Sequence, residues 1–189
     1  KNKLNNFSYY GNDISKNLIN LNIKKIKNIF LGEVFDINFP INKFKIIFML
    51  GVSTYLEDNK FKNNLLFVKK KIEKDGLFFI TVNNKNSIDL KIRNLFRPFL
   101  KLIFGKTSLN KKYVLLNINK VNTYNHDFIT NNLGKDFKLI RIIHLNQTFF
   151  PLNFVLPRFS LYLAKLIKKY NFFLNFLSSD FLYIYKKID

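Results

Sequence analysis

Tyr9-Tyr10-Gly11-Asn12-Asp13-Ile14-Ser15 sets the reading of this chain because further strand-end motifs succeed it in a fixed order. Gly32-Glu33 comes next, then Phe44 to Gly51, then Asp75-Gly76-Leu77 opening an apolar run. Leu4 to Tyr10 mixes aromatic and polar residues up to Gly11, which predicts a short strand. Ser15 caps a helix from Lys16 to Ile26, with Leu18, Leu21 and Ile26 on its buried face. Ile29-Phe30-Leu31 is a short buried strand closed by Gly32. Phe39-Pro40 breaks the chain, and Ile41-Asn42-Lys43 turns it into an apolar strand, Phe44 to Leu50. Apart from Lys45 that strand carries no charge, as expected where both faces are covered. Asp58 to Lys74 suits a helix, with Phe61, Leu65, Val68 and Ile72 at spacings of three and four. Asp75-Gly76 ends it, with glycine as the left-handed residue, and Leu77 to Val82 forms the next strand. Strands and helices in strict alternation predict a parallel sheet with right-handed crossovers.

The second half differs. Ser87 to Phe104 alternates basic and apolar residues and predicts a helix interrupted before Pro98. Asn125 caps a helix through Leu133, with Asp127 in its first turn. Phe137 to Leu145 and Phe181 to Lys187 read as strands. Phe149 to Leu177, between them, is rich in aromatics and leucine, but Arg158, Lys165, Lys168 and Lys169 interrupt it. No window reaches the ~20 apolar residues of a spanning helix. A helix over residues 157–170 could instead lie on an anionic membrane surface, but the favoured reading is that its apolar side caps the sheet. No repeat or linker divides the chain, so residues 1–189 read as one domain.

Composition bounds the partners. The net charge is +20, from 32 Lys plus Arg against 12 Asp plus Glu. Clustered cations suggest a nucleic-acid partner. Against this, Arg93, Arg97, Arg141 and Arg158 are the only arginines and Ala164 the only alanine, while Asn, Ile, Lys and Phe abound. That is the skew of an AT-rich genome, and nucleic-acid sites favour arginine forks, so a nucleic-acid partner is disfavoured. With no cysteine there is no disulfide, thiolate metal site or cysteine nucleophile. The expected location is cytoplasmic, with peripheral membrane contact through 157–170 as the alternative to capping the sheet. The chain begins at Lys1, and we expect it to be a fragment.

Asp13 and Glu33 carry the chemistry. A carboxylate at the end of a strand can accept from two vicinal ribose hydroxyls, although an acid before Ser15 also reads as helix capping. Glu33, one helix and one strand later, falls along the same sheet edge, where it could accept from an adenine amine beside the Val34 amide.

In order and spacing these motifs resemble the class I S-adenosylmethionine-dependent methyltransferases. The matching pieces are Gly11-Asn12-Asp13-Ile14-Ser15, Gly32-Glu33, Phe39-Pro40, Phe44-Lys45-Ile46-Ile47, Gly51-Val52, Tyr55, Asp75-Gly76-Leu77 and Val82-Asn83-Asn84. The resemblance covers about residues 7–84 in order, and the rest more loosely. It implies an α/β, Rossmann-like, mostly parallel sheet flanked by helices, with S-adenosyl-L-methionine as cofactor. Asp13 would bind the ribose, Ile14 pack on the adenine, and Glu33 and Val34 hold the adenine edge. Met49, Leu50 and Gly51 would line the methionine portion and the methyl group. Residues 1–84 would be the cofactor half, and residues 85–189 the acceptor cover and last strands.

The chain departs from the family in three places. Lys45 stands where the family has an Asp, and Glu33 where it commonly has an Asp. The family's first strand and glycine-rich loop, which lie mid-sheet, have no counterpart here, so a gap or altered pairing is expected at that position. The general base is not evident: His126, at a helix start, is the candidate, and His144 a weaker one. No metal cluster or phosphate-binding loop is visible. The leading expectation is methyl transfer to a small-molecule, sugar or lipid-linked acceptor. The alternatives are a non-catalytic basic module that binds membranes or polyanions, and an RNA methyltransferase.

Overall fold

Pairing starts where the Gly11 amide donates to the Asn28 carbonyl at 2.9 Å. From there β1 (Gly11–Asp13) and β2 (Ile29–Leu31) run parallel. The structure, a computed structural model, describes residues 8–23, 28–89, 91, 92, 95, 96, 98, 122–145, 152–170 and 174–189. The strand predicted over Leu4 to Tyr10 thus begins only at Gly11, and its first residues lie outside the described ones.

Helix α1 (Lys16–Asn22) is capped by Ser15, whose Oγ accepts from the Leu18 amide. Its buried residue is Ile19, whereas Leu18 and Leu21 are exposed; Ile26 lies outside the described residues. Three-residue strands offer α1 too little surface to cover a full helical stripe.

The second sheet has four strands. β3 (Phe44–Met49) pairs parallel with β4 (Ile72–Asn83). β4 pairs antiparallel with β6 (Asp180–Lys187), and β6 antiparallel with β5 (Phe137–Leu145), in the order β3-β4-β6-β5. Among the described residues β1 and β3 do not pair, so the expected break falls between them. Rings bridge their amino ends instead: Phe44 meets Tyr10 at 6.0 Å and Phe39 at 5.5 Å, and Phe39 meets Phe30 at 5.3 Å.

Helix α2 (Asp58–Lys71) stops earlier than its pattern suggests, because β4 already begins at Ile72. Phe44 pairs with Ile72 but Ile46 with Leu77, so Glu73 to Gly76 bulge against Lys45. The left-handed residue is Asp75, at φ 62°, rather than Gly76. Gly76 serves close approach. A Cβ there would lie 2.7 Å from Ile72 Cγ1 and 2.9 Å from the Glu73 and Lys45 carbonyls.

The core lies on one face of the four-stranded sheet. Phe61, Leu65 and Val68 of α2 meet Ile129 and Leu133 of α3 (His126–Leu133) over Phe78, Ile80, Tyr183 and Tyr185. Asn125 caps α3 through its Oδ1, which accepts from the Phe128 amide at 2.9 Å. On the other face Ile46 and Phe48 of β3 are exposed, so the cover predicted on both faces is found on one among the described residues.

Residues 88, 89, 91, 92, 95, 96 and 98 are helical, and the rest of the segment predicted as a helix from 87 to 104 lies mostly outside the described residues. Between β5 and β6 run α4 (Leu152–Val155), α5 (Pro157–Tyr170) and α6 (Leu174–Leu177). Among the described residues no helix is long and apolar enough to cross a membrane.

Candidate functional site

Three strand ends converge on one edge. The Gly32 amide donates to the Asp13 carbonyl at 3.0 Å, and Asn12 Nδ2 donates to the Gly32 carbonyl at 3.1 Å. These bonds set the ends of β1 and β2 side by side. Gly32, at φ 137°, makes a turn that a side chain would strain.

Asp13 is half-buried, and its Oδ1 accepts from the Ser15 amide at 2.7 Å. That bond is an Asx turn leading into α1, whose cap is Ser15 itself. Oδ2 makes no hydrogen bond among the described residues, and a carboxylate has about four acceptor positions. Capacity for further donors remains. Ile14, next along, is exposed.

Glu33 is partly buried, and Lys60 Nζ of α2 donates to its Oε1 at 2.9 Å. The Glu33 hydrogen bond, and then its charge, raise the Lys60 pKa. Because α2 follows β3, this pair ties the end of β2 to the end of β3. Lys60 was not legible in the sequence: it is one basic residue among many, and its partner is 27 positions away. Val34, beside Glu33, is half-buried.

At the end of β3 the three expected residues separate. Met49 buries its side chain in the core, leaving only its backbone for the edge. Leu50 is exposed. Gly51, at φ 69°, donates its amide to Thr81 Oγ1 at 2.7 Å, and nothing lies within 4 Å of where a Cβ would be. Behind it a network fixes the turn: Ser53 Oγ donates to the Thr81 carbonyl, Asn83 Nδ2 to Thr54 Oγ1, and Asn122 Nδ2 to the Leu56 carbonyl. The open Gly51 therefore stands on a rigid support.

His126 is not brought to this edge. Its Nδ1 lies 2.7 Å from Thr130 Oγ1 and 3.1 Å from Tyr185 Oη, and its ring stacks on Tyr183 at 5.7 Å. Tyr183 pairs with Ile80, and Tyr185 with Phe78, three and five residues before the end of β4 at Asn83. At about 3.3 Å per residue that is roughly 10 Å or more from the carboxyl edge. His144, on β5, packs edge-on against Phe181 at 5.2 Å, and its buried Nδ1 has no hydrogen-bond partner among the described residues.

A second feature lies further along the same edge. Asn84, just after β4, is buried and donates to the Asn175 and Ser178 carbonyls at 2.6 and 2.8 Å. It borders a cleft of about 340 Å³, lined also by Asn86, Asn175, Phe176, Phe181 and Tyr183. Among the described residues no group of three acidic, His or Cys side chains could hold a metal ion.

No protein-family profile and no curated protein sequence matches the chain. Solved structures do. An S-adenosylmethionine-dependent methyltransferase from Archaeoglobus fulgidus overlaps 94% of this chain and 75% of its own, at 17% identity and a TM-score of 0.55. PKMT2 from Rickettsia typhi, solved in complex with AdoHcy, overlaps 95% of this chain at 15% identity and a TM-score of 0.60. This chain has the class I S-adenosylmethionine-dependent methyltransferase fold. The N-methyltransferase NodS from Bradyrhizobium japonicum shares it, over 94% of this chain and 72% of its own, at 8% identity and a TM-score of 0.52. The chain spans only 44% of the Rickettsia protein. In this methyltransferase fold the break between β1 and β3 falls where the glycine-rich loop's strand was expected.

Proposed function

We propose that the chain is an S-adenosylmethionine-dependent methyltransferase acting on a small-molecule, sugar or lipid-linked acceptor. The observation that carries this reading is the placement of Asp13 and Glu33 on adjoining strand ends, with an open Gly51 at the end of β3. The residues present fit the cofactor. Asp13 has acceptor capacity left for two ribose hydroxyls, Ile14 offers an exposed apolar surface, and Lys60 holds Glu33 at the edge. The cofactor would supply an electrophilic methyl group on a sulfonium. The protein's part is to orient that methyl and exclude water, and positioning of this kind can contribute about 7–11 kcal/mol.

Residues 1–84 would hold the cofactor, and the later residues would cover the acceptor. The asparagine- and ring-lined cleft after β4 suits an acceptor with both polar and flat apolar surface. The cysteine-free chain is compatible with a cytoplasmic location. The rival reading, a basic module without catalysis, draws on the +20 charge.

Calorimetric titration with S-adenosylhomocysteine decides between them, on residues 1–189 and on the longest reading frame that contains them. Asp13→Asn keeps an oxygen for the Ser15 amide and removes the charge. Binding that weakens about 10- to 100-fold in Asp13→Asn is expected, the range for a hydrogen bond to a charged group. No binding by either chain, or binding unchanged by Asp13→Asn, would exclude this site.

A further inference from the structure

We infer that the outward face of α5, with Val155 and Leu156 before it, is a docking surface for an anionic lipid bilayer. Between Asp136 and Asp180 the sequence has no acidic residue, yet it carries Lys138, Arg141, Arg158, Lys165, Lys168 and Lys169. At 3.6 residues per turn, Arg158, Tyr162, Lys165 and Lys169 fall on one stripe of α5, and all four are exposed. Phe159 and Leu161 flank that stripe on either side, while Ser160 faces inward and is 2% exposed. Val155, Leu161 and Tyr162 are 71%, 59% and 57% exposed.

Single exposed apolar residues are ordinary on a protein surface. Here they are contiguous, aromatic in part, and threaded by the exposed cations Arg158 and Lys165. A bilayer rewards both components: apolar side chains enter the headgroup boundary, and each cation near an anionic surface adds attraction. A nucleic acid would reward only the cations, and would favour arginine, of which α5 has one.

Topology brings the ends of the segment that carries this surface to the same edge of the sheet as the candidate site. β6 runs antiparallel to both β4 and β5, so the segment between β5 and β6 leaves and returns at the edge where β3 and β4 end. A bilayer held there would present a lipid-linked acceptor to that edge. That last step rests on the methyltransferase reading; the docking surface does not.

Flotation with phosphatidylcholine vesicles, with and without phosphatidylglycerol, tests the surface, with single-stranded RNA binding measured in parallel. The chain is expected to float with the anionic vesicles and to bind neutral ones far less. Arg158→Gln with Lys165→Gln should weaken anionic binding roughly twentyfold, about fivefold for each cation removed. Val155→Ser with Tyr162→Ser should weaken it several-fold. Lys74→Gln with Lys135→Gln, at the opposite edge of the sheet, removes equal charge and should matter little. Circular dichroism of each variant checks that the fold is kept. Equal losses in the α5 pair and the opposite-edge pair would overturn the proposal, since diffuse charge would then suffice. So would α5 variants that lose RNA binding while still floating. Asp13→Asn is expected to float as the parent does, so a missing cofactor site leaves this result untouched.

Discussion

Tyr185 is fully buried, with its hydroxyl 3.1 Å from His126 Nδ1 and 3.4 Å from Thr130 Oγ1. Burial pushes its pKa up to about 12. In the unfolded chain the same phenol titrates near ~10. Between those values the unfolded chain has released a proton that the folded one still holds, so rising pH favours unfolding. This group's contribution is fully present below pH ~10 and declines by about 1.4 kcal/mol per pH unit up to about 12. Urea midpoints are expected to hold level from neutral pH to about 9 and to fall above ~10, with a shallower fall in Tyr185→Phe. An identical slope in that variant would show that Tyr185 is not responsible. His126, legible as a candidate base at a helix start, is half-buried and lies against the Tyr185 hydroxyl. Its environment is set by β6, more than fifty positions later, and no local pattern carries that information. Glu33 was legible as a strand-end acid for the opposite reason: position along the alternating pattern is local, whereas the Lys60 that holds it is not.

The junction of α2 and β4 is where a local reading misplaced an element boundary. Asp75-Gly76 has the composition of a helix stop, yet the helix ends at Lys71 and the pair sits in a bulge within β4. Periodicity could not separate the two, because Ile72 continues the helical spacing while already filling the core as a strand residue. Gly76 is held by contacts from three sides, so Gly76→Ala must displace backbone as well as a side chain. A loss of about 2–3 kcal/mol is expected, read as a lowered urea midpoint at constant slope. A change below about 0.5 kcal/mol would mean that the bulge relaxes freely. Where patterns were strong, element reading held closely: β5, α3 and α5 lie over the residues expected, with Asn125 and Pro157 starting the two helices. α1 shows the limit, since capping fixed its start but the narrow sheet beneath it chose Ile19 over Leu18 and Leu21.

At the scale of the whole molecule, the fold was legible because strand-end motifs recur in a fixed order. Asp13, Gly32-Glu33, Gly51 and Asn83-Asn84 each close a strand of an alternating α/β pattern, and the fold is shared with solved structures at 8–17% identity. The break between β1 and β3 among the described residues agrees with a motif that has no counterpart in the sequence. The acceptor side was not, since the cleft draws Asn84 and Asn86 after β4, Ile142 of β5, and residues of α6 and β6 across long sequence separations. The central claim is that the edge formed by β1, β2 and β3 holds the cofactor. Backbone amide spectra recorded while S-adenosylhomocysteine is added test it most directly. The expected result is perturbation of Asp13, Glu33, Val34 and Gly51, with Arg158 and Lys165 unmoved. Saturating ligand that moves none of those four amides, or moves only those of α5, would contradict the account.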